Sequence, residues 1–178
     1  MQPKSLLVIT GTMGAGKTSV LGEASDILAL RNIVHAAIDL DAFGLGHLAS
    51  ADLRSQLNSD VVMYRNLRSV CRNYSSVGVR RFLVARAIED RATLECCRRA
   101  VSAKSMVVCR LTASSETMRH RVKMRESGVL QEQFVARVDK LNSILDHAQL
   151  DDFAVASEHR SVSQIAHEML LKAGWISE

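Results

Sequence analysis

Short apolar runs alternate along the chain with longer stretches in which apolar positions recur every three or four residues. Ser5 to Thr10 (SLLVIT) runs straight into glycines and predicts a buried strand, and Thr18 to Leu30 predicts a helix. Ile33 to Leu40 (IVHAAIDL) predicts a second strand that ends in acids. Two helical stretches, Ala51 to Asn58 and Val61 to Ser75, follow, and Gly78 suits their stop. Val79 to Ala85 and Ser105 to Leu111 predict the third and fourth strands, with a helix from Asp90 to Val101 between them. Ser114 caps a helix through about Arg125, Gln131 to His147 resumes helical periodicity, and Phe153 to Ala156 predicts a short last strand. Ser161 opens a final helix to Ala173, with Gly174 as its stop. Strands separated by helices of this length make βαβ units, hence one α/β domain with a mostly parallel sheet covered on both faces.

Composition agrees with that reading. A chain of 178 residues buries roughly 70% of its extended surface, enough for one self-sufficient core. The four cysteines, Cys71, Cys96, Cys97 and Cys109, show no metal spacing, and neither do His35, His47, His120, His147, His159 and His167. With no secretory leader before them, the cysteines are expected as reduced thiols in a cytoplasmic protein. No apolar stretch approaches the ~20 residues of a membrane span.

Charge is less even than the net +4 suggests. Residues 65 to 125 hold 15 Lys or Arg and only four acids, so this block carries +11 and the remainder −7. Such a block suits a polyanion or the phosphates of a small ligand, and equally a set of solvated helix faces.

The most specific signal follows the first strand. Gly11-Thr12-Met13-Gly14-Ala15-Gly16-Lys17-Thr18 fits G-x-x-x-x-G-K-[ST] in full, between a predicted strand and a predicted helix. Glycines let backbone wrap close to phosphate oxygens, and the helix start offers free N–H groups and a favourable dipole. Lys17 is expected to reach the β and γ phosphates, with the Thr18 hydroxyl on Mg²⁺. Next, Asp39 and Asp41 stand two apart at a strand end, an arrangement that points both carboxylates to one side of the sheet. An acid there also caps a following helix. The third strand has Arg86 where many phosphate-loop proteins place an acid, and Glu89 comes slightly later.

Together these motifs resemble the small P-loop kinases of the adenylate, shikimate and adenylylsulfate kinase group, and a set of bacterial proteins labelled AAA family ATPases or nucleoside kinases. The likeness is carried by Gly11 to Thr18, IDLDAFG at Ile38 to Gly44, YRNL at Tyr64 to Leu67, TASSETMRHRVKMRE at Thr112 to Glu126, and the ending RSVSQIAHEMLLKAGW. It implies a single P-loop domain over residues 1–178, with a five-stranded parallel sheet ordered 2-3-1-4-5. It also implies a helical acceptor-binding insert at 43–78 and a lid loop at 126–133. Nucleotide contacts are expected from Gly11 through Thr18, from Ser19, and from Arg121 stacking on the adenine. Arg125, on the same helix face as Arg121, would meet phosphate charge, while Arg119 stays solvated. Asp39 would join Thr18 at the metal, and Asp41 would receive the acceptor proton. Arg65, Arg68, Arg86 and Glu89 are candidate acceptor contacts.

The resulting expectation is a Mg²⁺-dependent kinase that moves the γ-phosphate of ATP to a hydroxyl of a small molecule such as a nucleoside, nucleotide, sugar or hydroxylated natural product. Nothing in the sequence separates ATP from GTP, names the acceptor or sets the oligomeric state. Two alternatives are a nucleic-acid 5′-hydroxyl kinase, favoured by the +11 block, and a nucleotide-binding switch with little transfer activity. The absence of a recognisable nucleic-acid module or aromatic platform argues against nucleic acid as a partner.

Overall fold

The computed structural model describes residues 3–44 and 59–178. Five strands form one parallel sheet in the order β2-β3-β1-β4-β5: β1 (Ser5–Thr10), β2 (Ala36–Asp39), β3 (Arg81–Ala85), β4 (Ser105–Thr112) and β5 (Phe153–Ala156). Between and after them lie α1 (Lys17–Leu30), a 3₁₀ turn over Leu40–Gly44, α2 (Ser59–Ser76), α3 (Arg91–Val101), α4 (Ser115–Arg125), α5 (Gln131–Ala148) and α6 (Val162–Lys172).

The side-chain period of two splits the core by parity. Leu7, Ile9, Leu83, Ala85 and Leu111 pack with α1 and α6 through Leu21, Leu28, Ile165 and Met169. Leu6, Val8, Phe82, Val84 and Val108 point the other way and pack with α2 and α3 through Met63, Leu67, Leu94 and Cys97. Both faces are therefore apolar, as a parallel sheet requires. No described helix is long and apolar enough to cross a membrane.

Three helices start on side-chain caps. Asp90 accepts from Thr93 N for α3, Ser114 from Thr117 N for α4, and Ser161 forms a reciprocal capping box with Gln164 for α6.

Element boundaries differ from the periodic pattern in a few places. Ile33 to His35 is not strand: Asn32 takes a left-handed φ of 54°, Ile33 N donates to Leu28 O, and His35 Nδ1 bonds Ile33 O, so these residues turn the chain out of α1. Likewise Val79 N bonds Tyr74 O and closes α2, so β3 begins only at Arg81. The loop after α4 spans 126–130, and Gln131 to Gln133 already form the first turn of α5. The helix expected over Ala51 to Asn58 lies outside the described residues, as does much of the 43–78 insert.

Candidate active site

The C-terminal ends of β1, β2 and β3 and the start of α1 build one polar centre. Gly11 and Gly14 are dictated by space as well as dihedral. Their φ angles are 144° and 79°, a Cβ on Gly11 would lie 2.6 Å from the Leu111 carbonyl oxygen, and one on Gly14 would collide with the Met118 backbone. The loop thus threads between β4 and α4, where no side chain fits. Thr10 and Thr12 anchor it: Thr10 Oγ1 accepts from Ile88 N at 3.0 Å, and buried Thr12 donates to Val138 O of α5 at 3.4 Å.

In contrast to α3, α4 and α6, α1 has no side-chain cap at Gly16. The first N–H groups of a helix have no partner inside it, so those of α1 are left facing the loop, where they and the helix dipole favour an anion. Lys17 folds over the loop and donates to Thr12 O at 3.2 Å. Burial pulls its pKa down from the usual lysine value, the Asp41 carboxylate opposes that, Arg125 adds to it, and Asp39 opposes it. One lysine thus feels two acids from β2 and its 3₁₀ turn and an arginine from the end of α4.

The β2 acid reaches α1 because of register. Asp39 pairs with Ala85 of β3, which pairs with Ile9 of β1, and all three point to the α1 side of the sheet. Thr18, in the first turn of α1, donates its hydroxyl to Asp39 Oδ2 at 2.7 Å. Asp41 arrives differently from the expectation. The strand ends at Asp39, and the 3₁₀ turn carries Asp41, whose N–H donates to Asp39 Oδ1 at 3.2 Å. The turn, not strand alternation, therefore brings the second carboxylate alongside. A hydroxyl and a carboxylate in mutual contact are hard oxygen donors suited to Mg²⁺, which binds through few protein ligands. Among the described residues no cluster of three or more His, Cys, Asp or Glu offers a softer metal site.

A cavity of about 190 Å³ lies beyond the loop, with Gly16, Ser19, Val20, Arg121, Ser157 and Arg160 in its lining. Arg121 crosses between elements, donating to Gly14 O, Ser157 Oγ and Ser157 O at 3.2, 3.1 and 2.7 Å. With its in-plane donors engaged, its flat faces remain for stacking. Arg160 donates to Ala156 O and Gln164 O and pairs with Glu168. Its part in the cavity escaped the sequence reading; its one available signal was a basic residue just past a strand end. Glu158, in the same turn, accepts from Ser114 Oγ at 2.6 Å, and hydrogen bonds from Ser114 and Thr117 hold its pKa at about 2.

Arg125 is exposed and pairs with Glu126 at 2.8 Å. Arg119, partly exposed, pairs with Asp139 of α5. The remaining candidates engage other elements. Arg86 pairs with Asp60 at 3.0 Å, touches the Met63 sulfur and lies 5.9 Å from the Tyr64 ring, so it holds the start of α2. Glu89 pairs with Arg137 of α5 at 3.0 Å. Arg65 and Arg68 line a separate groove between α2 and α3.

No protein-family model matches the chain, and no curated protein matches it by sequence. Solved structures do match in fold. A sugar kinase from Janibacter has a TM-score of 0.64 at 15% identity, covering 97% of this chain and 95% of its own. An APS kinase from Mycobacterium tuberculosis, in complex with AMPPNP and APS, has a TM-score of 0.60 at 16% identity, covering 98% and 99%. A shikimate kinase from Acinetobacter baumannii, in complex with shikimate, has a TM-score of 0.57 at 18% identity, covering 99% and 97%. With its all-parallel 2-3-1-4-5 sheet and helices on both sides, the chain has the fold of the small P-loop kinases.

Proposed function

We propose that the protein is an ATP-dependent kinase that phosphorylates a hydroxyl of a small molecule. The observation that carries this is the position of Asp41: a solvent-exposed carboxylate, close enough to Lys17 to act on its charge, and hydrogen-bonded through its backbone to the acid that touches Thr18. An exposed acid beside a phosphate-loop lysine can orient an acceptor hydroxyl and take its proton as the new P–O bond forms.

The roles divide by chemistry. The loop from Gly11 to Thr18 and Ser19 binds the triphosphate, with Lys17 on its outer oxygens. Arg121 presents a guanidinium face to the adenine above the cavity it shares with Ser157 and Arg160. Mg²⁺, held by Thr18 and Asp39, would neutralise charge on the β and γ phosphates. Arg125, freed from Glu126, would meet the charge that grows on the transferred group. Gluconate, shikimate and sugar kinases share this fold, which supports a small hydroxylated acceptor. β3 ends at Ala85 and is followed by Arg86, where many phosphate-loop proteins carry an acid, so Asp39 supplies the acid from the neighbouring strand.

The test is transfer of label from [γ-³²P]ATP to a panel of nucleosides, nucleotides, sugars and hydroxylated natural products. An accepted compound should be phosphorylated by the wild type and about 10²- to 10⁴-fold more slowly by Asp41→Asn, the range for losing a general base. Wild-type transfer by Asp41→Asn would leave that carboxylate without a chemical role.

A further inference from the structure

The groove between α2 and α3 encloses about 580 Å³ and is lined by none of Lys17, Asp39, Asp41 or Arg125. Arg65 and Arg68 enter it from α2, three residues apart and so on one helix face, and Arg99 enters from α3. All three are exposed. Seven other arginines, Arg86, Arg98, Arg110, Arg119, Arg125, Arg137 and Arg160, each hold an acid, and Arg31, Arg80 and Arg121 donate to backbone oxygens. Among the described residues Arg65, Arg68 and Arg99 hold none. The two acids in the lining offset them only in part: Asp60 is paired with Arg86, and Asp90, which caps α3 by accepting from Thr93 N at 2.7 Å, is one carboxylate against three guanidinium groups.

The wall facing the α2 arginines is built of small side chains. Ala92, Thr93, Cys96 and Ala100 form the α3 side, and Tyr64 ties the two helices by donating to Thr93 O at 3.3 Å. Burial pushes the Tyr64 phenol above its usual range, so it brings no negative charge to the groove. The volume falls within the roughly 300–1,000 Å³ of small-molecule sites. Three guanidinium forks offer more donors and charge than one carboxylate takes up, whereas a phosphate dianion presents three terminal oxygens.

We propose that this groove is a binding site for a phosphorylated small molecule, held by Arg65, Arg68 and Arg99 and separate from the phosphate-transfer centre. It stands independently of the kinase reading.

Cys96 supplies a local reporter, since its Sγ accepts from Arg99 at 3.4 Å and it is half-buried in the lining. The other three thiols are buried and pushed up to about 12, and so react slowly. The experiment measures carbamidomethylation of Cys96 by peptide mass spectrometry in the full chain, with ribose 5-phosphate, inorganic phosphate, succinate or a short oligonucleotide as the added probe. Ribose 5-phosphate should slow the reaction in the wild type and equally in Lys17→Ala, more effectively than inorganic phosphate or succinate. Arg68→Gln, at an exposed residue that makes no ion pair among the described residues, should raise the half-protecting concentration about 10-fold or more, the effect of losing a charge-assisted contact. The proposal is overturned if ribose 5-phosphate gives no protection at about 10 mM, beyond the weakest affinities of interest. It is also overturned if protection survives Arg68→Gln, requires Lys17, or is matched by succinate. Tighter protection by the oligonucleotide would overturn it in favour of a polyanion surface.

Discussion

Thr18 donates its hydroxyl to Asp39 at 2.7 Å although β3 lies between the strand that ends at Asp39 and the strand that leads into the phosphate loop. The contact is possible because Asp39, Ala85 and Ile9 are in register and project to the face on which α1 begins. Ala85 between them is only a methyl group, which leaves the carboxylate room at the edge of the loop.

Asp39→Asn should therefore act through the metal. The amide keeps the shape but loses the charge that favours a divalent cation. The transfer defect should shrink as Mg²⁺ is raised, whereas that of Asp41→Asn should persist. A Mg²⁺ titration of transfer rate for both variants checks this, and parallel curves would remove Asp39 from the metal site.

Arg125→Ala should lower the rate at saturating ATP by about 10³-fold, in line with other arginines that meet transition-state charge. The ATP dissociation constant should change less, because Arg125 is exposed and paired with Glu126. Single-turnover rates alongside equilibrium nucleotide binding separate the two effects. A change confined to affinity would make Arg125 a binding residue.

Gly14→Ala should destabilise the fold by about 1–3 kcal/mol or more, since the new methyl meets the Met118 backbone and a left-handed φ is strained for alanine. Gly22→Ala, in open space within α1, should instead stabilise by about 0.5–1 kcal/mol. Urea midpoints of the two variants should move in opposite directions.

Glu158 predicts an acid-side pH dependence. Its folded pKa, about 2, lies below the ordinary glutamate value because Ser114 and Thr117 donate to the carboxylate. The stabilisation is thus present above the unfolded pKa and is lost as pH falls through the folded one. Ser114→Ala should flatten the decline in thermal midpoint between about pH 4.5 and 2 relative to the wild type. An unchanged slope would mean that the carboxylate contributes nothing there.

Much of the architecture was legible in the order of residues. The apolar runs at Ser5–Thr10 and Phe153–Ala156 coincide with β1 and β5, and caps at Asp90, Ser114 and Ser161 open the helices predicted from them. These are local effects: a strand's period, a side-chain oxygen and the first free N–H groups all lie within a few residues. The turn from Gly11 to Thr18 between β1 and α1 was equally legible, because its glycines lie close together in sequence and all three take the positive φ that their spacing suggests. Even there, the reason for Gly14 lies in α4, more than 100 residues away, whose backbone occupies the space of a side chain.

Tertiary structure decided what depends on distant partners. Strand order brought Asp39 to Thr18 across β3, and a 3₁₀ turn, which has no apolar periodicity to read, delivered Asp41. Arg119 and Arg86 looked no different from Arg65 and Arg68 as residues in a basic block. Only folding gave the first two Asp139 and Asp60, while the other pair faces Arg99 across a groove. A charge's role depends on what neutralises it, and that neighbour is set by packing of elements remote in sequence.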